Sequence, residues 1–317
     1  MTIADVRMLL ALSPGDQGRA LEAAARDRGI RKLIVVESAR DLIRATKDIN
    51  FDLIVSDFDL PDGSAGPTLH ALRHGRHGVN PFSVVITLIN DAAQDKLRSV
   101  VDTGTDAVLI APCSPQQLVD RITVLGEARK PFVVTADYIG PDRRSGPPRA
   151  GSMEIRKLSV PNPLRLALTG QADAIALGRA IETAKLEVNT ERVARCAFQL
   201  CFLGERVMPR LQRGLLDNDL RASLERMTLV GDDMLKRLPG TQLNHEINKC
   251  LSLHNMTLRV KESLPVPDSE DIRLLGKSLE VMAASFKVVI PDALRQKIAL
   301  PMDAAMPAQR PAMAARV

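Results

Sequence analysis

Five short apolar runs at regular intervals constrain the first 128 residues more than any other feature. Met8–Leu12, Leu33–Val36, Leu53–Ser56, Val84–Thr87 and Ala107–Ile110 are nearly unbroken by polar residues. Stretches with helical periodicity alternate with them: Gln17–Arg28, Ala39–Asp48, Thr68–His74, Ala92–Asp102 and Pro115–Ala128. A strand without polar alternation is buried on both faces, and strands separated by helices pair in parallel. The expected fold is therefore α/β, a five-stranded doubly wound parallel sheet. In such sheets the functional crevice lies beyond the carboxyl ends of the strands. Ser13, Pro14, Asp16, Asp57, Asp59, Thr87 and Ala111 fall there.

The 317 residues leave room for a second domain. Residues 129–165 break the alternation with recurrent Pro and Gly and read as a basic linker. Residues 166–286 are helical in pattern throughout and predict an all-α bundle. Its helices are expected at Ala172–Val188, from a cap at Asn189–Thr190 to Pro209, at Asn218–Leu238, at Gln242–Glu262 and from Asp268 onward. The last stretch, 287–317, lacks a clear period and reads as a disordered tail.

Charge narrows the function classes. The chain carries a formal +5, which invites nucleic acid as a partner. Residues 1–128, however, hold 14 Lys and Arg against 17 Asp and Glu, and residues 166–286 hold 16 against 16. The excess lies in 129–165 (8 against 3) and 287–317 (5 against 2). With no Trp and one Tyr, stacking platforms for bases are scarce, and nucleic acid is not the expected partner. No apolar window reaches the roughly 18 residues of a membrane span. Four cysteines without a CxxC pair fit a reduced, cytoplasmic protein.

The sharpest local signal runs from Asp52 to Ser64, DLIVSDFDLPDGS. An apolar strand delivers Asp57 to the sheet edge, and Pro61 with Asp62-Gly63 turns the chain away. With the fivefold alternation, this resembles the receiver domain of two-component response regulators over residues 5–128. The resemblance implies that Asp57 is the phosphoacceptor, that Thr87 contacts the phosphoryl group, and that Pro61 and Pro112 hold the flanking turns. It also implies a histidine kinase or phosphotransfer protein as phosphoryl donor and a downstream protein partner.

Several positions depart from the family pattern. Ser13 and Pro14 stand where two acids help hold Mg2+, Ala111 where a lysine precedes the last proline, and Val108 at the aromatic switch position. A hard cation needs oxygen ligands, usually carboxylate, which leaves Asp16 and Asp59 as helpers for Mg2+. Two readings of Asp57 follow: a phosphorylated site, or a carboxylate retained in a pseudo-receiver that works by binding alone.

Two other clusters carry chemistry. His70, His74 and His77 approach metal-ligand spacing, but no Cys, Asp or Glu joins them, so a helix C-terminus is the expected role. His245-Glu246-Ile247, with Leu251, resembles the phosphorylated-histidine box of histidine-kinase dimerisation domains. No nucleotide-binding half follows it. Arg143 and Arg144 suit docking on an acidic face. The expectation is a signalling protein, not an enzyme, whose helical half is an interaction or homodimerising output. The alternatives are phosphotransfer through His245 and a DNA-binding regulator.

Overall fold

A computed structural model describes residues 3–144, 155–292, 294 and 295. β1 (Arg7–Ala11), β2 (Lys32–Val36) and β3 (Leu53–Asp57) are followed by a minimal antiparallel hairpin of β4 (Asp59–Leu60) and β5 (Gly63–Ser64). With β6 (Val84–Ile89) and β7 (Ala107–Ile110), the first three strands form one parallel sheet in the order β2-β1-β3-β6-β7. The expected doubly wound sheet is thus observed, with strand ends within two residues of those expected.

Strand alternation sorts the core into two layers. Met8, Leu10, Leu53, Val55, Val84, Ile86 and Leu88 pack with residues of α1 (Asp16–Asp27) and α5 (Pro115–Glu127). Leu9, Ile54 and Val85 pack with residues of α2 (Ala39–Asp48) and α3 (Gly66–Arg73). α4 (Gln94–Asp102) precedes β7. The helices start where side chains satisfy their first N–H groups. Ser38 accepts from the Asp41 N–H, and Ser114 with Gln117 forms a reciprocal capping box.

The span expected as linker holds regular structure where it is described. β8 (Phe132–Val134) and β9 (Ile139–Pro141) form a hairpin, and Phe132 also bridges to Leu158. α6 (Pro163–Leu168) places Leu164, Ala167 and Leu168 in the α1–α5 layer. One buried ionic cluster fastens the hairpin to the sheet. Asp106, just before β7, receives Arg73 at 2.7 Å and Arg129 at 2.8 Å, all three side chains at most 4% exposed. Both guanidinium groups lie over the Phe132 ring, at 5.3 and 4.9 Å. The Pro/Gly content signalled turns, and the apolar triplet Phe132–Val134 was short enough to hide among them. Arg143 donates to the Thr105 carbonyl at 2.6 Å, and Arg144 pairs with Asp142 at 2.8 Å. These contacts take the place of an acidic docking face.

The remaining elements of the described residues are helical: α7 (Ala174–Gln212), α8 (Asn218–Arg237), a 3-10 turn at Asn244–Glu246, α9 (Ile247–Glu262) and α10 (Ser269–Ser285). α7 is one 39-residue helix, uninterrupted at the expected cap. The Thr190 hydroxyl donates to the Leu186 carbonyl one turn back, and Asn189 accepts from Arg237, so neither side chain caps a new helix. Pro209 sits in the final turn. The residues 296–317 of the expected tail lie outside the described residues.

The chain divides into two compact units. Of the described residues, the first holds 3–144, 155–196 and 234–247, and the second holds 197–233 and those from 248 onward. Cys196, Cys201 and Cys250 are buried as small hydrophobes, and burial pushes the Cys201 thiol up to about 12.

Candidate functional site

Chain order places the candidate site. From β1 the chain winds one way to β2 and the other way to β3, so the crevice opens at the carboxyl ends of β1 and β3. Asp57 is the last residue of β3, and Ser13 lies two residues past β1. Their separation of 44 residues closes into one hydrogen bond: the Ser13 N–H donates to Asp57 Oδ2 at 2.7 Å. The Ser13 hydroxyl donates to the Asp59 carbonyl at 3.3 Å. Lys96, in the first turn of α4, brings its ammonium onto the Asp59 carboxylate.

Other residues expected at this edge are placed differently. Asp16 opens α1, where its fully exposed carboxylate pairs with Arg19 at 2.5 Å. It is therefore committed to its own helix. Thr87 pairs in register with Ser56, whereas Leu88 pairs with Asp57. Neighbours in a parallel ladder share a face, so the Thr87 side chain lies on the face opposite Asp57. Its hydroxyl donates to Thr105 Oγ1 at 2.9 Å and is wholly buried. The half-buried Val108, paired with Thr87, belongs to that same face. The strand was expected to end at Thr87 and continues to Ile89; that continuation moves the hydroxyl inward.

Asp62 acts on α2 from across the turn. It accepts the Ala39 and Arg40 N–H groups at 2.5 and 3.1 Å, and these bonds hold its carboxyl below the usual range. Pro61 and Pro112 are exposed loop residues, the latter after a cis peptide bond from Ala111.

The fit of Mg2+ to these residues can be judged from the donor set. The ion demands near-octahedral oxygen coordination at about 2.0–2.1 Å. Here Asp57 Oδ2 and the Asp59 carbonyl face hydrogen-bond donors, and Asp59 faces an ammonium. Ser13 and Pro14 add no carboxylate, and Asp16 is turned to Arg19. The residues present do not fit the cation. Among the described residues, no group of three or more His, Cys, Asp or Glu is arranged to hold a metal ion.

The histidine cluster is divided. His70 and His74 stack with ring centroids 4.0 Å apart, while His77 Nε2 meets Thr46 Oγ1 at 2.8 Å. His74 is buried, neither ring nitrogen has a hydrogen-bond partner among the described residues, and burial pushes its pKa down to about 2. It is held neutral. His245 lies in the 3-10 turn before α9 rather than on a longer helix, because the turn from Thr241 to Glu246 closes through i→i+3 bonds. Its side chain is 70% exposed, with Nε2 3.3 Å from the buried Glu246 carboxylate. The sequence pair is thus brought together.

Lys96 escaped sequence reasoning. It sits 37 residues from Asp59, on a helix whose spacing points nowhere in particular.

Over the N-terminal part the chain is similar to solved receiver domains. One is the receiver domain of a sensor histidine kinase from Pseudomonas aeruginosa, with magnesium in its active-site cleft: 22% identity, 38% of this chain and 96% of that one, TM-score 0.34. The chemotaxis response regulator CheY4 of Vibrio cholerae gives 20% identity, coverages of 37% and 97%, and a TM-score of 0.32. The Mn2+-bound response regulator Rcp1 gives 14% identity, coverages of 38% and 91%, and a TM-score of 0.31. No protein-family model and no curated protein matches the chain.

Proposed function

We propose that this chain is a signal-transduction protein whose receiver-fold unit works by binding rather than by phosphoryl transfer. The observation that supports this most directly is the state of Asp57. It sits at the switch point of the sheet, yet its carboxylate accepts a backbone N–H from Ser13, where the receiver resemblance would put an acid. Transfer of a phosphoryl group to a carboxylate needs compensating positive charge on the transferring oxygens. Among the described residues no fitting cation site is formed, Ala111 stands in the lysine position, and the Lys96 ammonium is engaged by the Asp59 carboxylate rather than by Asp57. Asp57 is then a structural carboxylate of a pseudo-receiver, and Thr87 a core hydroxyl.

In this reading the first unit offers its surface to a histidine kinase, a phosphotransfer protein or a downstream partner, and the helical portion is the interaction or homodimerising output. The protein acts in the cytoplasm and not on DNA. Among the described residues, no helix is long and apolar enough to cross a membrane. The test is labelling of the full chain with acetyl phosphate and Mg2+, read by intact-protein mass spectrometry. The expected result is no added phosphoryl group. A single phosphoryl adduct on wild type that vanishes in Asp57→Ala overturns the reading.

A further inference from the structure

Three oxygen atoms at the carboxyl end of β3 are each met by a donor from another part of the chain. Asp57 Oδ2 takes the Ser13 N–H, the Asp59 carbonyl takes the Ser13 hydroxyl, and the Asp59 carboxylate takes the Lys96 ammonium. Ser13 comes from the loop after β1 and Lys96 from α4, so donors from both sides converge on the turn after β3. The Lys96 side chain is 27% exposed, so its charge is drawn partly out of solvent and held near the acids. An arrangement with two hydrogen-bond donors and one fixed positive charge supplies what a bound divalent cation supplies: positive partners for these oxygens and a tie between separate loops.

We infer that Ser13 and Lys96 together stand in for a divalent cation, holding the carboxyl end of β3 in one arrangement that is indifferent to Mg2+. This rests on the reading of the first unit as a pseudo-receiver and names the residues that make it one. Ser13 carries two of the three contacts, and one of them is through its backbone. Changing its side chain therefore removes only the tie to Asp59. A carboxylate in its place restores an oxygen ligand, and removing the Lys96 charge frees the Asp59 carboxylate. Both changes together offer a cation the side-chain carboxylates of positions 13, 57 and 59.

The experiment is thermal unfolding of the full chain with and without Mg2+, for wild type, Ser13→Asp, Lys96→Met and the double variant. Wild type is expected to show no shift. The folded double variant is expected to gain a saturable rise of about 2–4 °C at about ten times its dissociation constant. A rise in wild type overturns the inference, as does a double variant with an unchanged circular-dichroism spectrum and no rise. Should the double variant fail to fold, Mn2+ broadening of wild-type amide resonances decides. Broadening centred on Ser13, Asp57 and Asp59 refutes the inference, and its absence at millimolar Mn2+ upholds it. The two readings fail separately. A phosphoryl adduct on Asp57 formed without added cation sinks the pseudo-receiver but not the cation substitute. Cation binding by wild type without an adduct does the reverse.

Discussion

Asp106 holds two guanidinium groups on one carboxylate, and its environment sets the sharpest residue-scale expectations. Burial alone raises a carboxyl pKa, but Arg129 and Arg73 outweigh it and hold Asp106 below its ordinary range. A carboxylate held low in the folded state contributes stability above its unfolded value of about 3.9. That contribution is lost as pH falls through the folded value, so urea midpoints should drop steeply below about pH 4. Asp106→Ala leaves two buried cations unpaired and should cost about 3–5 kcal/mol in urea unfolding. Asp16→Ala, whose pair with Arg19 is fully exposed, should leave the midpoint unchanged. A flat profile from pH 6 to 3 would show that the Asp106 cluster contributes nothing net.

At the scale of elements, the β8–β9 hairpin is where packing and function part company. Gly104 has φ +79, and a Cβ there would lie 2.4 Å from the Ile139 carbonyl. Gly104→Ala should therefore lose at least about 1–2 kcal/mol from backbone handedness alone. Phe132→Ala, under two guanidinium groups and wholly buried, should lose about 3–5 kcal/mol. Limited proteolysis should leave residues 129–144 uncut while the chain is folded; rapid cleavage between Phe132 and Pro141 would contradict this. The five strands were legible because each is an apolar run that only burial on two faces explains. Asp57 was legible because it ends such a run. The face of Thr87 was not, since one extra pair of strand residues, Leu88 and Ile89, decides it. Nor was Lys96, whose role depends on where α4 is set against the β3 turn. The hairpin hid because three apolar residues in a stretch with recurrent Pro and Gly look the same in a linker and in a strand.

For the whole molecule, the distribution of charge bears on partners. Much of the positive excess between 129 and 165 is already spent inside the first unit. Arg129 is on Asp106, Arg143 on a carbonyl, and Arg144 and Lys157 are on Asp142. Phosphate contacts make nucleic-acid affinity fall steeply with salt. The full chain should accordingly pass through immobilised duplex DNA at physiological salt; salt-dependent retention would count for a DNA-binding role. The first unit has a further consequence for how such a protein can change. Its described residues include the hairpin, α6 and the first part of α7, and, after 197–233, the stretch from Met234 to Ile247. A domain built from one uninterrupted stretch can be cut out and joined to a new neighbour in a single recombination. This one cannot be inherited in that way. A sheet cut out at residue 128 would carry Arg73 and Asp106 without Arg129 and without the Phe132 ring beneath both guanidinium groups.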